Sequence, residues 1–91
     1  MRSIVLDTET TGLDATEGHK VIEIGCIELI DRKITGNVFH KYICPNRKID
    51  EKAGKVHGIT DDYLKDKPLF SEIITDFLEY LSDSNLIIHN A

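Results

Sequence analysis

An apolar run, Ile4-Val5-Leu6, leads directly into Asp7-Thr8-Glu9, and this junction constrains the fold more than any other stretch of the chain. Side chains on a strand alternate between its two faces, so Asp7 and Glu9 share one face while Thr8 takes the other. Two carboxylates placed side by side repel each other, and partly burying them adds a desolvation cost. Protonation or a divalent cation relieves both. Hard oxygen ligands on a rigid strand suit magnesium or manganese, which keep several waters and bind through one or two carboxylates plus substrate phosphate oxygens. The plainer reading is a solvated strand end, because Asp-x-Glu also occurs there by chance and so short a pattern does not decide the matter.

The rest of the chain specifies the sheet that would carry the junction. Residues 12–20 hold Gly, Asp, Thr and His with little apolar content and read as a loop. Residues 21–30 read as a strand with apolar residues on both faces: Ile22, Ile24, Cys26 and Ile30 on one, Val21, Ile27 and Leu29 on the other. That two-sided pattern predicts an interior strand. Residues 31–37 are rich in turn formers, and 38–44 predict a third strand that Pro45 stops. Asp50 is placed to cap a short helix through Lys55, Thr60 to cap another turn, and Pro68 to occupy the first turn of a longer helix. In that longer helix Leu69, Phe70, Ile73, Ile74, Phe77, Leu78 and Leu81 recur at three- and four-residue spacing, a core-packing stripe. Residues 85–90 read as a fourth strand, and a helix between strands predicts that it runs parallel to the first. The expected fold class is α/β: three antiparallel strands, then a helix and a parallel strand, the first half of a ribonuclease H-like sheet.

Ninety-one residues make at most one small domain. No run of residues is long and apolar enough to cross a bilayer and no signal peptide is present, which implies the cytosol. Cys26 and Cys44 do not form a C-x-x-C pair and have no nearby His to suggest zinc, so free thiols are expected. A hairpin turning near Ile34 and Thr35 would nevertheless set the two cysteines almost opposite each other. The formal net charge of −5 is the wrong sign for gripping nucleic acid by counterion release. Binding to DNA therefore calls for metal ions at the phosphates and a partner that delivers the strand.

With Thr10-Thr11-Gly12-Leu13 attached, the junction resembles the first motif of the DEDD exonucleases, the DnaQ-like 3′-to-5′ nucleases. Gly18-His19-Lys20-Val21-Ile22-Glu23-Ile24-Gly25, Thr35-Gly36-Asn37-Val38-Phe39-His40-Lys41-Tyr42, Val56-His57-Gly58-Ile59 and Ile88-His89-Asn90-Ala91 follow in the order and spacing of one branch, the proofreading subunits of bacterial replicative DNA polymerases. The resemblance runs along nearly the whole chain, and it implies that residues 1–91 are the N-terminal part of a single exonuclease domain whose second half is missing. It implies two Mg²⁺ or Mn²⁺ ions per complete site, with Asp7 bridging both and Glu9 binding the ion that activates water. Two further carboxylates and a general-base histidine belong to motifs not found here, since the chain stops at Ala91, just short of the aspartate that continues the second motif.

By the same resemblance His57 lies against the terminal nucleotide, although the residues alone suggest an exposed or core-satisfied histidine. Thr10, Gly12 and Leu13 would lie beside that nucleotide, with the Thr10 backbone N–H available to the sugar and Leu13 against the base. Read without the resemblance they form a turn that needs glycine. The family carries an acidic residue five positions before this histidine, where Lys52 stands here: either Glu51 substitutes or the contact is lost. His19, His40, His89 and Asn90 receive no role, and Asp61-Asp62 reads as helix-start charge. The implied partners are a single-stranded or frayed DNA 3′ end and a polymerase catalytic subunit reached through regions absent from this chain. Two alternatives remain: an RNA-trimming relative such as oligoribonuclease or ribonuclease T, and a non-catalytic fragment acting as a binding module. The chain alone is expected to show little or no nuclease activity, to bind Mn²⁺ weakly, and to self-associate through uncovered sheet.

Overall fold

The computed structural model describes residues 1–12, 20–49 and 51–89. Strand β1 (Arg2–Thr10) pairs antiparallel with β2 (Val21–Ile30), which pairs antiparallel with β3 (Lys33–Tyr42). Helices α1 (Glu51–His57), α2 (Asp61–Leu64) and α3 (Phe70–Leu81) follow, and β4 (Asn85–His89) returns parallel to β1. The sheet order is β3-β2-β1-β4, so β1 and β2 are interior, as the two-sided apolar content of β2 predicts for that strand.

Alternation on β1 and β2 sorts the sheet into two unlike faces. Ile4 from β1 and Ile22, Ile24 and Cys26 from β2 are buried, with Ile43 beyond the end of β3. Ile73 of α3 joins Ile4, Ile24, Cys26 and Ile43 in one cluster, flanked by Leu6, Phe39, Phe77, Tyr80 and Leu81. Phe39 sits 5.5 Å, centroid to centroid, from both Phe77 and Tyr80, the spacing of favourable ring pairs. The opposite face carries Asp7 and Glu9.

Several local expectations need correction. The β2–β3 turn is Asp31-Arg32, not residues 34–35, and Lys33 already belongs to β3. Both turn residues have positive φ, 49° and 71°, as a two-residue hairpin matched to sheet twist requires. What resembled turn chemistry farther along is a bulge: the register slips between Ile27 and Leu29, where residues 35–37, with Gly36 at φ 88°, span the place of Glu28 alone. The earlier turn pairs Cys26 with Phe39 rather than setting it opposite Cys44, and both thiols are free. Burial pushes the Cys26 thiol up to about 11, which keeps it protonated and inert.

Helix α1 runs past Lys55 to His57, where Gly58, at φ 70°, ends it by returning its N–H to the Gly54 carbonyl at 2.8 Å. The expected cap, Asp50, lies outside the described residues. Thr60 caps α2 as expected, accepting from the Tyr63 N–H at 3.2 Å. Pro68 falls just before α3 rather than in its first turn, and Glu72 takes the capping role by accepting from the Leu69 N–H at 2.8 Å. The apolar stripe of α3 is narrower than its spacing suggests. Ile73, Phe77 and Leu81 pack on the sheet while Leu69, Phe70 and Leu78 stay exposed, because a four-stranded sheet meets only one side of the helix. Tyr80 completes the contact, its hydroxyl donating to the Asn37 carbonyl at 2.9 Å. Strand β4 is described through His89; Asn90 lies outside the described residues.

Candidate metal centre

β1 remains a strand through Thr10, so the alternation that places Asp7 and Glu9 together holds over both residues. On β2 their cross-strand partners are Gly25 and Glu23, and on β4 the partner of Asp7 is His89. Asp7, Thr8, Glu9, Glu23 and Gly25 line a recess of about 90 Å³. A water in the liquid occupies about 30 Å³, so this recess suits an ion with a few waters rather than an organic ligand.

One oxygen in this recess is out of balance. Asp7 keeps 45% of its side-chain surface, but its Oδ1 is buried and has no hydrogen-bond partner among the described residues. The His89 ring nitrogen Nδ1 lies 3.9 Å from it, too far to donate a hydrogen bond. A buried carboxylate oxygen left in this state is costly, and a cation beside it removes the cost. No basic side chain blocks Glu9 among the described contacts. Three acidic groups on one patch of sheet, with Glu9 directly opposite Glu23, also repel one another. The donor set therefore fits a hard divalent ion. Among the described residues no group of three or more His, Cys, Asp or Glu side chains converges on a single ion position.

Glu23 is the functional neighbour that sequence reasoning left unassigned. Its Oε2 lies 2.5 Å from His40 Nε2, and its charge, with partial burial and Tyr63 adding, pushes the Tyr42 hydroxyl above the usual tyrosine range. Only the registers of β1 with β2 and of β2 with β3 reveal it: a carboxylate at position 23 gains meaning from standing opposite Glu9. His89 was likewise invisible until the parallel register with Asp7 placed it there.

His57 reaches the junction from α1. Its Nδ1 accepts from the Ile59 N–H at 3.0 Å, and its Nε2 stands 3.1 Å from the Thr10 carbonyl oxygen. With Nδ1 accepting, Nε2 must carry the proton, so the ring donates to Thr10 as a neutral tautomer. The Thr10 hydroxyl in turn donates to the Gly12 carbonyl. Thr11 and Lys20 exchange backbone and side-chain bonds at 2.9 and 3.1 Å, which ties the end of β1 to the start of β2. His57, Thr10 and Gly12 are thus brought to the acidic junction, whereas Leu13 and His19 lie outside the described residues. Lys52 is exposed; Glu51 is exposed too and pairs with Lys55 at 3.3 Å. Asp61 does more than charge a helix start, since its Oδ1 accepts from the Ile49 N–H at 2.8 Å.

The chain belongs to the Exonuclease family, whose model matches residues 4–91. Among curated proteins it is 56% identical over 91 residues to DNA polymerase III subunit epsilon of Rickettsia conorii, covering 100% of this chain and 40% of that protein. The subunit of the same name from Salmonella typhimurium is 52% identical over 94 residues, covering 99% of this chain and 39% of the relative. The chain thus spans about two fifths of the length of these relatives. Among solved structures, exonuclease X in complex with 5′ overhanging duplex DNA aligns at a TM-score of 0.78 and 30% identity, covering 96% of this chain and 48% of that one. A product-bound exonuclease I aligns at a TM-score of 0.80 and 15% identity, over 98% and 21% of the two chains, and shares the fold. The resemblance read from five motifs leads to this family and to these epsilon subunits.

Proposed function

We propose that residues 1–91 are the N-terminal part of the catalytic domain of a metal-dependent 3′-to-5′ DNA exonuclease, the proofreading epsilon subunit of DNA polymerase III. The observation that carries this reading is the buried Oδ1 of Asp7, without a hydrogen-bond partner among the described residues, beside Glu9 in a recess sized for an ion and a few waters. Family membership and the identity to epsilon subunits support it. Asp7 and Glu9 would hold Mg²⁺ or Mn²⁺, two ions in a complete site. Such ions supply Lewis-acid activation of water and charge neutralisation at the scissile phosphate.

The chain's own residues position the strand. His57 fixes the end of β1 through the Thr10 carbonyl, and Thr10, Gly12, Leu13 and His57 flank the terminal nucleotide. Glu9 and Glu23 keep the recess anionic, so the phosphate enters only with its cations. The net charge of −5 means that the DNA 3′ end must be delivered, and the DNA polymerase III catalytic subunit is the partner suited to deliver it. A protein carrying all four carboxylates should trim single-stranded DNA in preference to short RNA in direct competition. Preference for RNA would favour an oligoribonuclease-like or ribonuclease T-like enzyme instead.

The direct test is Mn²⁺ titration of this chain followed by electron paramagnetic resonance. Weak binding is expected, together with little or no nucleolysis. Asp7→Asn should weaken the binding at least tenfold. Mn²⁺ binding unaffected by Asp7→Asn and by Glu9→Gln would overturn the reading.

A further inference from the structure

A second recess, of about 300 Å³, opens beside His57 and contains none of the paired carboxylates; Tyr42, His57, Gly58, Ile59, Thr60 and Tyr63 line it. That volume is at the small end of ligand pockets. Its walls are aromatic: the Tyr42 and Tyr63 rings meet edge to face, with centroids 5.0 Å apart and planes at 86°. Tyr63 keeps 47% of its surface exposed. Gly58, with positive φ, has nothing within 4 Å of where a Cβ would stand, so the rim beside the rings is open. The Lys67 ammonium rests 4.5 Å from the Tyr63 ring centroid, a cation held against that ring.

Register connects this recess to the acidic junction. Glu9 stands opposite Glu23, and Glu23 opposite Tyr42, on one face of the sheet. Neighbouring strands are about 4.8 Å apart, so Tyr42 lies roughly 10 Å from Glu9. His57 borders the recess and also bonds to Thr10, beside Glu9.

We propose that Tyr42 and Tyr63 form a stacking platform for one unpaired base of the strand whose end reaches Asp7 and Glu9, whichever base it is. The proposal rests on the exonuclease reading above and names where that site obtains its grip. A chain of net charge −5 gains little from counterion release, whereas stacking on an aromatic ring needs no positive charge and tolerates every base. The edge-to-face pair holds one ring upright against the other, so little side-chain freedom is lost on binding. Lys67 then meets the backbone of the stacked nucleotide.

The chain has no Trp and three Tyr, so its intrinsic emission reports on Tyr42, Tyr63 and Tyr80 alone. The experiment titrates this chain, with Ca²⁺ in place of Mg²⁺ or Mn²⁺ to limit cleavage, with single-stranded octathymidylate and with an abasic octamer of the same charge. The base-bearing strand should quench tyrosine emission and bind about tenfold more tightly than the abasic one. Tyr63→Leu should remove most of that difference while leaving abasic binding unchanged, and Tyr63→Phe should retain it. Equal affinity for the two octamers, or a Tyr63→Leu loss shared equally by both, overturns the platform. Mn²⁺ titration of the unmodified and Asp7→Asn chains, in buffer free of chelator and of DNA, separates the two ideas. Asp7-dependent Mn²⁺ binding alongside failed stacking defeats only the platform, and stacking with Mn²⁺ binding indifferent to Asp7 defeats only the metal site.

Discussion

Arg2 ties β1 to β2 and to the C-terminal end of α3. Its Nε donates to Glu28 on β2 at 2.5 Å, while Nη1 and Nη2 donate to the Ser82 and Tyr80 carbonyls at 2.7 and 2.6 Å. Those carbonyls lie at the C-terminal end of α3, where the helix dipole favours a cation, and only a planar fork reaches all three acceptors. Arg2→Ala should cost about 2 kcal/mol in urea denaturation, and Arg2→Lys should recover only part of it. The Arg2 bond, followed by the Thr35 hydroxyl, holds the Glu28 carboxyl below its ordinary value of 4.5. A carboxylate whose pKa is depressed by folding stabilises fully above its unfolded value, and that contribution disappears as pH falls through the folded one. The thermal midpoint should therefore drop as pH is lowered below about 4.5, and less steeply in Glu28→Gln. Some acid sensitivity should survive, because the N-terminal ammonium depresses Asp31 in the same direction. An identical pH profile in wild type and Glu28→Gln would contradict this account. None of these contacts was legible in the sequence: residues 2, 28, 80 and 82 become neighbours only when helix and sheet pack.

Elements followed their local signals where backbone chemistry alone decides. β2 begins and ends where its apolar pattern does, Thr60 caps α2, and β4 runs parallel to β1. They departed where two signals competed. Thr35-Gly36-Asn37 has turn composition, yet the turn formed at Asp31-Arg32 and that segment became a bulge whose Thr35 and Asn37 side chains both donate to Glu28. An arginine at φ 71° is strained, since a side chain in the left-handed region costs about 1 to 2 kcal/mol. Arg32→Gly creates the Asp-Gly pair that this turn type favours, and it keeps the Asp31 contact with the Met1 ammonium at 2.8 Å. It should raise the urea midpoint by the equivalent of about 1 kcal/mol without changing the slope. A lowered midpoint would mean that the turn is not strained at Arg32.

As a whole, the molecule buries one face of its sheet and leaves much of the other open. Ile27, Ile34, Val38 and Ile87 are 41 to 72% exposed, and they share the sheet face that carries Asp7 and Glu9. A contiguous apolar patch of this kind drives association. Sedimentation equilibrium should show mass rising with concentration, and Ile87→Lys should shift the distribution toward monomer; a clean monomer at high concentration in the unmodified chain would refute this. The candidate site divides in the same way as the fold. Residues 7 and 9 share a face because alternation is a property of any strand, so the acidic pair and its affinity for hard cations follow from sequence alone. Which groups surround that pair depends on register, hairpin length and helix packing. Glu23 opposite Glu9, His89 beside Asp7, His57 on the Thr10 carbonyl and the Tyr42–Tyr63 recess are separated by tens of residues along the chain. Local rules fix where a side chain points; the summed burial of many distant apolar groups fixes what it points at, and only the folded sheet decides that.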